Sequence, residues 1–241
     1  METRTALVTG AAQGLGQEFA VALAGRGYRV AGLDLVPQPQ TAARILDYVE
    51  LVGDVTDEEV VRAELERVID RFGTLHVVVN NAGVYPSKPF EETTAEEWRR
   101  VLRVNLEAPF LVTQAALPHL KAAGWGRIVN IASAAVFTAP PTMVPYVASK
   151  MGLIGFTRAL AAALAPYGIT VNAIAPTMVR TATAERTVGA DGGFAFVRGR
   201  QAVSRTQEPA DLVSTLLYVV DEGSGFLTGQ TLNVSGGSAY L

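Results

Sequence analysis

The stretch TALVTGAAQGLGQEF, residues 5–19, decides how this chain is read. Residues 5–9 form a short apolar and β-branched run, which reads as a strand buried on both faces. The run stops at Gly10, and a helical pattern starts near Leu15. Between them lie Gly10, Gln13, Gly14 and, just beyond, Gly16. Glycines are needed where a backbone turns sharply and where a pyrophosphate must approach the main chain. The start of the following helix supplies unpaired N–H groups and a partial positive charge for phosphates. A glycine-rich turn alone is weak ground; its placement between strand and helix makes it informative.

Working outward, β-branched runs alternate with helical patterns. Residues 29–34, 48–52, 75–80, 127–132, 169–174 and about 231–235 read as further strands, and 15–25, 57–72, 95–122, 146–166 and 209–221 as helices. Thr56 with Glu59 and Thr94 with Glu97 have capping-box spacing. Pro209 stands where a first helical residue belongs. This alternation predicts one α/β domain over residues 1–241, a Rossmann-type doubly wound parallel sheet of about seven strands with helices on both faces. Residues 177–206, rich in Gly, Ala and Thr, show no clear periodicity. A long irregular segment after a strand end suggests a lid within that domain.

Asp34 ends the second strand, 20 residues after Gly14. A carboxylate there can accept both adenosine ribose hydroxyls and would repel a 2′-phosphate. No basic residue follows it closely and none lies in the glycine turn, which favours NAD over NADP. The alternative is a solvated strand-end aspartate. Asp54-Val55 follows the third strand and Asn80-Asn81-Ala82-Gly83 the fourth. All lie at carboxyl ends of strands, where open α/β sheets bind ligands.

Ser133 ends the fifth strand. Tyr146 and Lys150, spaced i, i+4, share one helix face. A phenol with a pKa of about 10 is a poor base at neutral pH. A nearby ammonium and the positive nicotinamide ring would lower that pKa. Tyr146 could then exchange a proton with an alcohol oxygen while hydride moves, with Ser133 orienting that oxygen. A Tyr-x-x-x-Lys pair alone is usually a surface helix pair; the ordered set is more specific.

That set closely resembles the short-chain dehydrogenase/reductase family over essentially the whole length. The matching elements are Thr9 to Gly16, Asp54, Asn80 to Gly83, Asn105, Ser133, Tyr146 to Lys150, and Pro176 with Thr181. The resemblance implies that Tyr146 is the acid/base and that Lys150 also holds the nicotinamide ribose. It implies that Asn105, otherwise read as a helix-interior polar residue, anchors a water in a proton relay to Lys150. It places Leu35, Val55, Asn81, Ala82, Gly83 and Ile131 or Ala132 along the cofactor, and Pro176, Val179 and Thr181 at its nicotinamide end. Two positions depart from the family pattern: Pro176-Thr177 replaces Pro-Gly, and Ser235-Gly236-Gly237 replaces Asp-Gly-Gly.

The substrate pocket is expected between Val84–Ser87, Ala134–Met143 and the lid. Candidate walls are Tyr85, Ala135, Phe137, Pro140, Pro141, Met143, Thr177, Met178, Val179, Phe194 and Phe196, almost all apolar. Arg180, Arg186 and Arg198 lie in or near the lid, but none stands out as a fixed carboxylate partner. An apolar pocket selects by shape and burial. Residues 34–37, 80–90 and 174–183 resemble bacterial secondary-alcohol dehydrogenases of the 1-phenylethanol type, which implies an aryl or bulky alkyl ketone or alcohol. A 3-oxoacyl-thioester reductase is the alternative; it would prefer NADPH and a basic docking patch, against Asp34 and the acidic balance. Sugar or polyol dehydrogenases share the same motifs. A non-catalytic nucleotide sensor would be expected to have lost Tyr146 or Lys150.

Composition narrows the rest. The 241 residues carry a formal net charge of −3, with no basic run for nucleic acid. Cysteine is absent, which excludes disulfide and thiolate chemistry and suits a reducing, cytoplasmic setting. No signal peptide is read at the start, nor a run of about 18 uninterrupted apolar residues for a membrane. His76 and His119 are far apart, and no metal site is expected. The helix from Tyr146 to Pro166 is apolar nearly all round, and family members are mostly tetramers, so a homotetramer is expected.

Overall fold

The computed structural model describes residues 3–188 and 192–240. Seven strands form one parallel sheet: β1 (Thr5–Thr9), β2 (Arg29–Asp34), β3 (Tyr48–Val52), β4 (Val77–Asn80), β5 (Gly126–Ile131), β6 (Ile169–Pro176) and β7 (Thr231–Val234). The order is β3-β2-β1-β4-β5-β6-β7. Leu7 of β1 pairs with Ala31 on one side and with Val78 on the other. The chain winds outward from β1 in one direction and from β4 in the other. The carboxyl ends of β1 and β4 therefore frame the crevice where such sheets take ligands.

Ten α-helical segments lie among the described residues: α1 (Gly14–Gly25), α2 (Pro39–Ala42), α3 (Glu58–Phe72), α4 (Ala95–Leu102), α5 (Ala108–Ala123), α6 (Ala135–Thr138), α7 (Val144–Leu164), α8 (Ala182–Val188), α9 (Gly192–Arg198) and α10 (Pro209–Val220). Successive strand residues feed opposite faces. Leu7 joins a core with Leu65 and Phe72 of α3, Leu120 of α5 and Ala161 of α7. Its neighbours Ala6 and Val8 join Phe19 and Leu23 of α1 and Leu212 and Leu216 of α10. Phe19 and Leu23 are completely buried, and each contributes about 1.5–3 kcal/mol by leaving water.

Several local expectations need correcting. The 95–122 helix is interrupted by a π turn at Arg103–Glu107 between α4 and α5. The cap of α3 is Asp57, whose carboxylate accepts from the amides of Glu59 and Val60. Thr56 stands one residue too early and instead donates to Asp54. The Thr94–Glu97 capping box is present, and Pro209 opens α10. The 177–206 segment holds α8 and α9 rather than irregular chain; residues 189–191 of it lie outside the described residues.

The run Val144–Tyr167 is, by length and composition alone, apolar enough to cross a bilayer, although Lys150 and Arg158 interrupt it. Here it lies against the sheet, with Leu153, Ile154, Ala161 and Leu164 buried.

Candidate active site

The glycine turn is built by crowding. Gly10 has φ +69° and Gly14 φ +59°, a left-handed backbone that costs side-chain-bearing residues energy. A Cβ on Gly16 would stand 2.1 Å from the Gly10 carbonyl oxygen, so the turn closes only with hydrogen there. Neighbouring groups then fix it. Asn81 donates its side-chain amide to the carbonyls of Thr9 (2.9 Å) and Gly10 (3.2 Å). The Thr9 hydroxyl accepts from the amides of Asn81 and Ala82, both at 3.0 Å. Thr41 donates to the Ala11 carbonyl at 2.6 Å. Gln13, the N-cap of α1, makes no side-chain cap, and the first turn carries no acid. The opening amides of α1, Leu15 and Gly16 among them, stay available to an anion.

Asp34 lies beside this turn. Its carboxylate accepts from the amide of Ala12 at 2.9 Å and from that of Val36 at 3.3 Å. Each carboxylate oxygen has lone pairs left for ribose hydroxyls. Leu35 and Val36, which follow, are exposed and apolar. Asp54 is turned into its own loop, accepting from the amide and hydroxyl of Thr56, both at 2.8 Å. The adjoining Val55 is buried.

Ser133, Tyr146 and Lys150 meet past the end of β5. Ser133 is buried, and its Oγ accepts from the amide of Ala135 at 3.1 Å. That bond leaves the hydroxyl proton free to donate, and Ser133 acts on the Tyr146 phenol in the direction that favours its phenolate. Lys150 is buried and donates from Nζ to the Ile131 carbonyl at 2.7 Å. Burial lowers its ammonium to about 8.

Tyr146 behaves differently from expectation. Burial raises its phenol above the usual value; the Ser133 hydrogen bond partly opposes this, and Tyr85 adds to the rise. The Lys150 ammonium lies 5.9 Å from the phenol ring centre, with one donor already given to Ile131.

Asn105 is completely buried within the π turn. Its side chain brackets Val84, accepting from the amide and donating to the carbonyl, both at 2.8 Å, and reaches Ser149 Oγ at 3.1 Å. π turns recur at functional sites because the extra residue breaks the regular ladder. A Cβ on Gly83 would lie 3.2 Å from Asn105 Oδ1 and 3.6 Å from Lys150 Nζ. Glycine at 83 thus keeps open the space between those two groups.

The expected pocket walls are gathered only in part. Tyr85 meets Tyr146 edge to face, 6.5 Å between ring centres. Phe137 packs against buried Ala132, Val136 and Ile154, so much of it is core. Met143 caps the start of α7, and Ala135 and Met178 are half-buried. Phe194 is buried beneath the Arg180 guanidinium, while Phe196 is exposed. The 84–90 and 139–143 loops are joined by Ser87–Thr142 and by the Lys88 amide to the Thr142 carbonyl, each 2.8 Å.

Sequence reasoning missed Gln207. It is buried, accepts from the Thr177 amide at 3.0 Å, donates to the Val234 carbonyl at 2.6 Å, and forms a bridge with Val179. It clasps both ends of the 177–206 segment. Nothing in its local sequence signals this, because its partners come from 27 and 30 residues away. Pro176 ends β6, its carbonyl bound by the Ala134 amide. The Thr181 hydroxyl accepts from Ala184, starting α8, and keeps its own proton to donate.

The family model described as short chain dehydrogenase matches residues 4–191. The chain belongs to the short-chain dehydrogenase family. Among its relatives, the (2S)-[(R)-hydroxy(phenyl)methyl]succinyl-CoA dehydrogenase subunit BbsD of Thauera aromatica is 36% identical, covering 100% of this chain and 98% of that protein. The 3-oxoacyl-[acyl-carrier-protein] reductase FabG of Haemophilus influenzae is 32% identical, covering 98% of both. A solved structure from Sinorhizobium meliloti 1021, described as a short-chain alcohol dehydrogenase, superposes with TM-score 0.93 at 33% identity, covering 99% of this chain and 97% of that one. This chain is accordingly an oxidoreductase of a family that uses nicotinamide cofactors, NAD or NADP. The residues present fit such a dinucleotide: a turn that only glycine closes, free helix-opening amides and a strand-end carboxylate stand on one side of the crevice, and a buried lysine on the other.

Proposed function

We propose that the protein is a cytoplasmic, NAD-dependent oxidoreductase that interconverts a secondary alcohol and its ketone, with Ser133, Tyr146 and Lys150 as its catalytic residues. The observation that carries the reading is Ser133 acting on the Tyr146 phenol with the buried Lys150 ammonium 5.9 Å from its ring, at the carboxyl ends of the strands where the glycine turn also lies. The nicotinamide, when bound, accepts or supplies the hydride. Tyr146 takes or returns the hydroxyl proton of the substrate. Ser133, its lone pair engaged by Ala135, donates to the same substrate oxygen and orients it. Lys150 keeps two donors beyond its bond to Ile131 for a ribose and a water. Asn105 braces Val84 beside that space and supports the relay.

NAD is supported by Asp34, which presents charge where a 2′-phosphate would sit, followed by apolar Leu35 and Val36. A bulky alkyl or aryl group beside the carbinol is supported by Tyr85 at the mouth of the site and by the Thauera relative, whose name specifies a hydroxy(phenyl)methyl group. Residues 177–206 act as the lid. A homotetramer is supported by the outer side of α5 and α7, where Phe110 and Met151 are exposed and a 540 Å³ cavity is lined by Leu106, Phe110 and Phe156.

The test is a panel of aryl, alkyl, 3-oxoacyl-thioester and sugar substrates with NAD(H) and NADP(H), run with parent and Tyr146→Phe. The variant should bind NADH normally and lose about 10²–10⁴ in turnover. Retention of parental turnover refutes the mechanism. Turnover of only the thioester with NADPH refutes the substrate and coenzyme assignment. Sedimentation as a stable monomer refutes the tetramer.

A further inference from the structure

The lid carries a cation to the glycine turn. Arg186, on the last turn of α8, donates from Nη2 to Gln13 Oε1 at 3.3 Å, although 173 residues separate them. The same nitrogen donates to Thr183 Oγ1 at 3.1 Å. At the other end of α8, Thr181 lies against Gly14: a Cβ there would meet the Thr181 methyl at 3.5 Å. The lid thus rests on the turn through two contacts.

Arg186 differs from the lid arginines with described carboxylate partners, Arg205 being paired with Asp211. Arg180 is neutralised by Glu185 and Glu208. Among the described residues, Arg186 donates to two neutral oxygens, and no described carboxylate lies within ion-pair distance of it. A guanidinium held by neutral acceptors keeps its charge available for an anion, and its fork matches phosphate oxygens. Gln13, which it touches, is the N-cap residue in front of the unpaired amides of α1.

We propose that Arg186 is a cofactor-positioning residue: it exchanges Gln13 for the diphosphate of the dinucleotide and so latches the lid over the bound cofactor. This rests on the dinucleotide-binding reading above. The glycine turn itself contains no basic residue, so Arg186 would supply from the lid the full charge that the helix start lacks.

The experiment is titration of NADH, NADPH, ADP-ribose and adenosine against the parent, Arg186→Ala, Arg186→Gln and Arg186→Lys, at low and high salt. Arg186→Ala should weaken NADH, NADPH and ADP-ribose alike by about tenfold, as expected for one charge-assisted hydrogen bond, and leave adenosine unchanged. The parent's affinity for diphosphate ligands should fall more steeply with salt than the variant's. Arg186→Lys should restore part of the loss. Arg186→Gln, which can still donate to Gln13 but carries no charge, should not.

Rescue by Arg186→Gln would show that the contact with Gln13 alone matters and overturns the proposal. So does equal loss of adenosine binding, loss confined to NADPH (which places the charge at the 2′-phosphate), or unchanged NADH affinity in Arg186→Ala. A parent protein that binds neither NADH nor NADPH overturns the dinucleotide reading itself, an outcome distinct from all of these.

Discussion

Alanine at position 16 tests the glycine turn most directly. Its Cβ would stand 2.1 Å from the Gly10 carbonyl oxygen and 2.5 Å from Asn81 Nδ2, where ordinary contacts begin at about 3.5 Å. Neither neighbour yields cheaply. The first is backbone, and the second is already bonded to Thr9 and Gly10. Forcing a methyl group into such a place costs about 1–3 kcal/mol. In a domain of this size each kcal/mol lowers the melting temperature by about 2–4 °C, so Gly16→Ala should melt about 2–12 °C below the parent. NADH binding should weaken with it, because opening the turn moves the amides that face the diphosphate. Gly25 supplies the opposite sign. It ends the same helix, is exposed, has no positive φ, and a Cβ there would meet nothing within 4 Å. Alanine at 25 should stabilise by up to about 1 kcal/mol. Calorimetry and NADH fluorescence titration read both effects. If Gly16→Ala melts with the parent and binds NADH normally, the close-approach reasoning is wrong. If Gly25→Ala falls as far as Gly16→Ala, crowding is not the cause.

Lys150 should leave a signature in the pH dependence of stability. Its folded pKa of about 8 lies below the unfolded value of about 10.4, so the unfolded chain binds more protons between them. The group's contribution therefore rises with pH across that window, by on the order of 3 kcal/mol in total. Denaturation of parent and Lys150→Met at pH 8 and pH 10 should show the parent gaining relative to the variant; a relative loss reverses the argument. Gly83→Ala narrows the space between Asn105 and Lys150 and should lower turnover by up to about 100-fold with NADH affinity retained, checked by steady-state kinetics beside a binding titration. Gln207→Ala orphans the Thr177 amide and the Val234 carbonyl, at about 1–3 kcal/mol each. It should also expose the 177–206 segment to limited proteolysis; a digestion pattern equal to the parent's would refute the clasp.

The sheet was legible because parallel strands covered on both faces must be apolar throughout. β1 and β2 occupy the same residues in the reading and in the structure, since Gly10 and Asp34 punctuate them. The helices were less legible wherever the chain breaks its own rule. An apolar pattern runs through 95–122, so nothing at Asn105 announced a π turn; the break is specified by contacts with Val84 and Ser149, distant in sequence. The same holds for Gln207 and for Arg186, whose partners are tertiary. Thr56 was misread for a simpler reason: Thr56 and Asp57 both suit a cap, and Asp54 competes for the threonine hydroxyl. Residue types with strong chemistry were thus readable as candidates. The scaffolding that aims them was not, because it is made of ordinary amides and hydroxyls at long range.

Tyr146 shows what this distinction means for the chemistry. The spacing argued that Lys150, one turn away, lowers the phenol pKa together with the positive nicotinamide ring. In the folded chain the ammonium is drawn to the Ile131 carbonyl, and burial raises the phenol instead. Among the described groups acting on it, Ser133 is the one favouring the phenolate. A helix therefore supplies the pair but not the activated base. The missing favourable charge must arrive with the ligand, and the positive ring of oxidised cofactor is a charge of the right sign. The phenol should accordingly titrate at lower pH with NAD+ bound than with NADH or ADP-ribose bound. The difference between parent and Tyr146→Phe in near-ultraviolet absorbance, followed against pH, isolates this one group from the other tyrosines. If that titration falls at the same pH in all three complexes, charge on the ring does not activate Tyr146, and the proton must be moved by the Lys150–Asn105 side of the site.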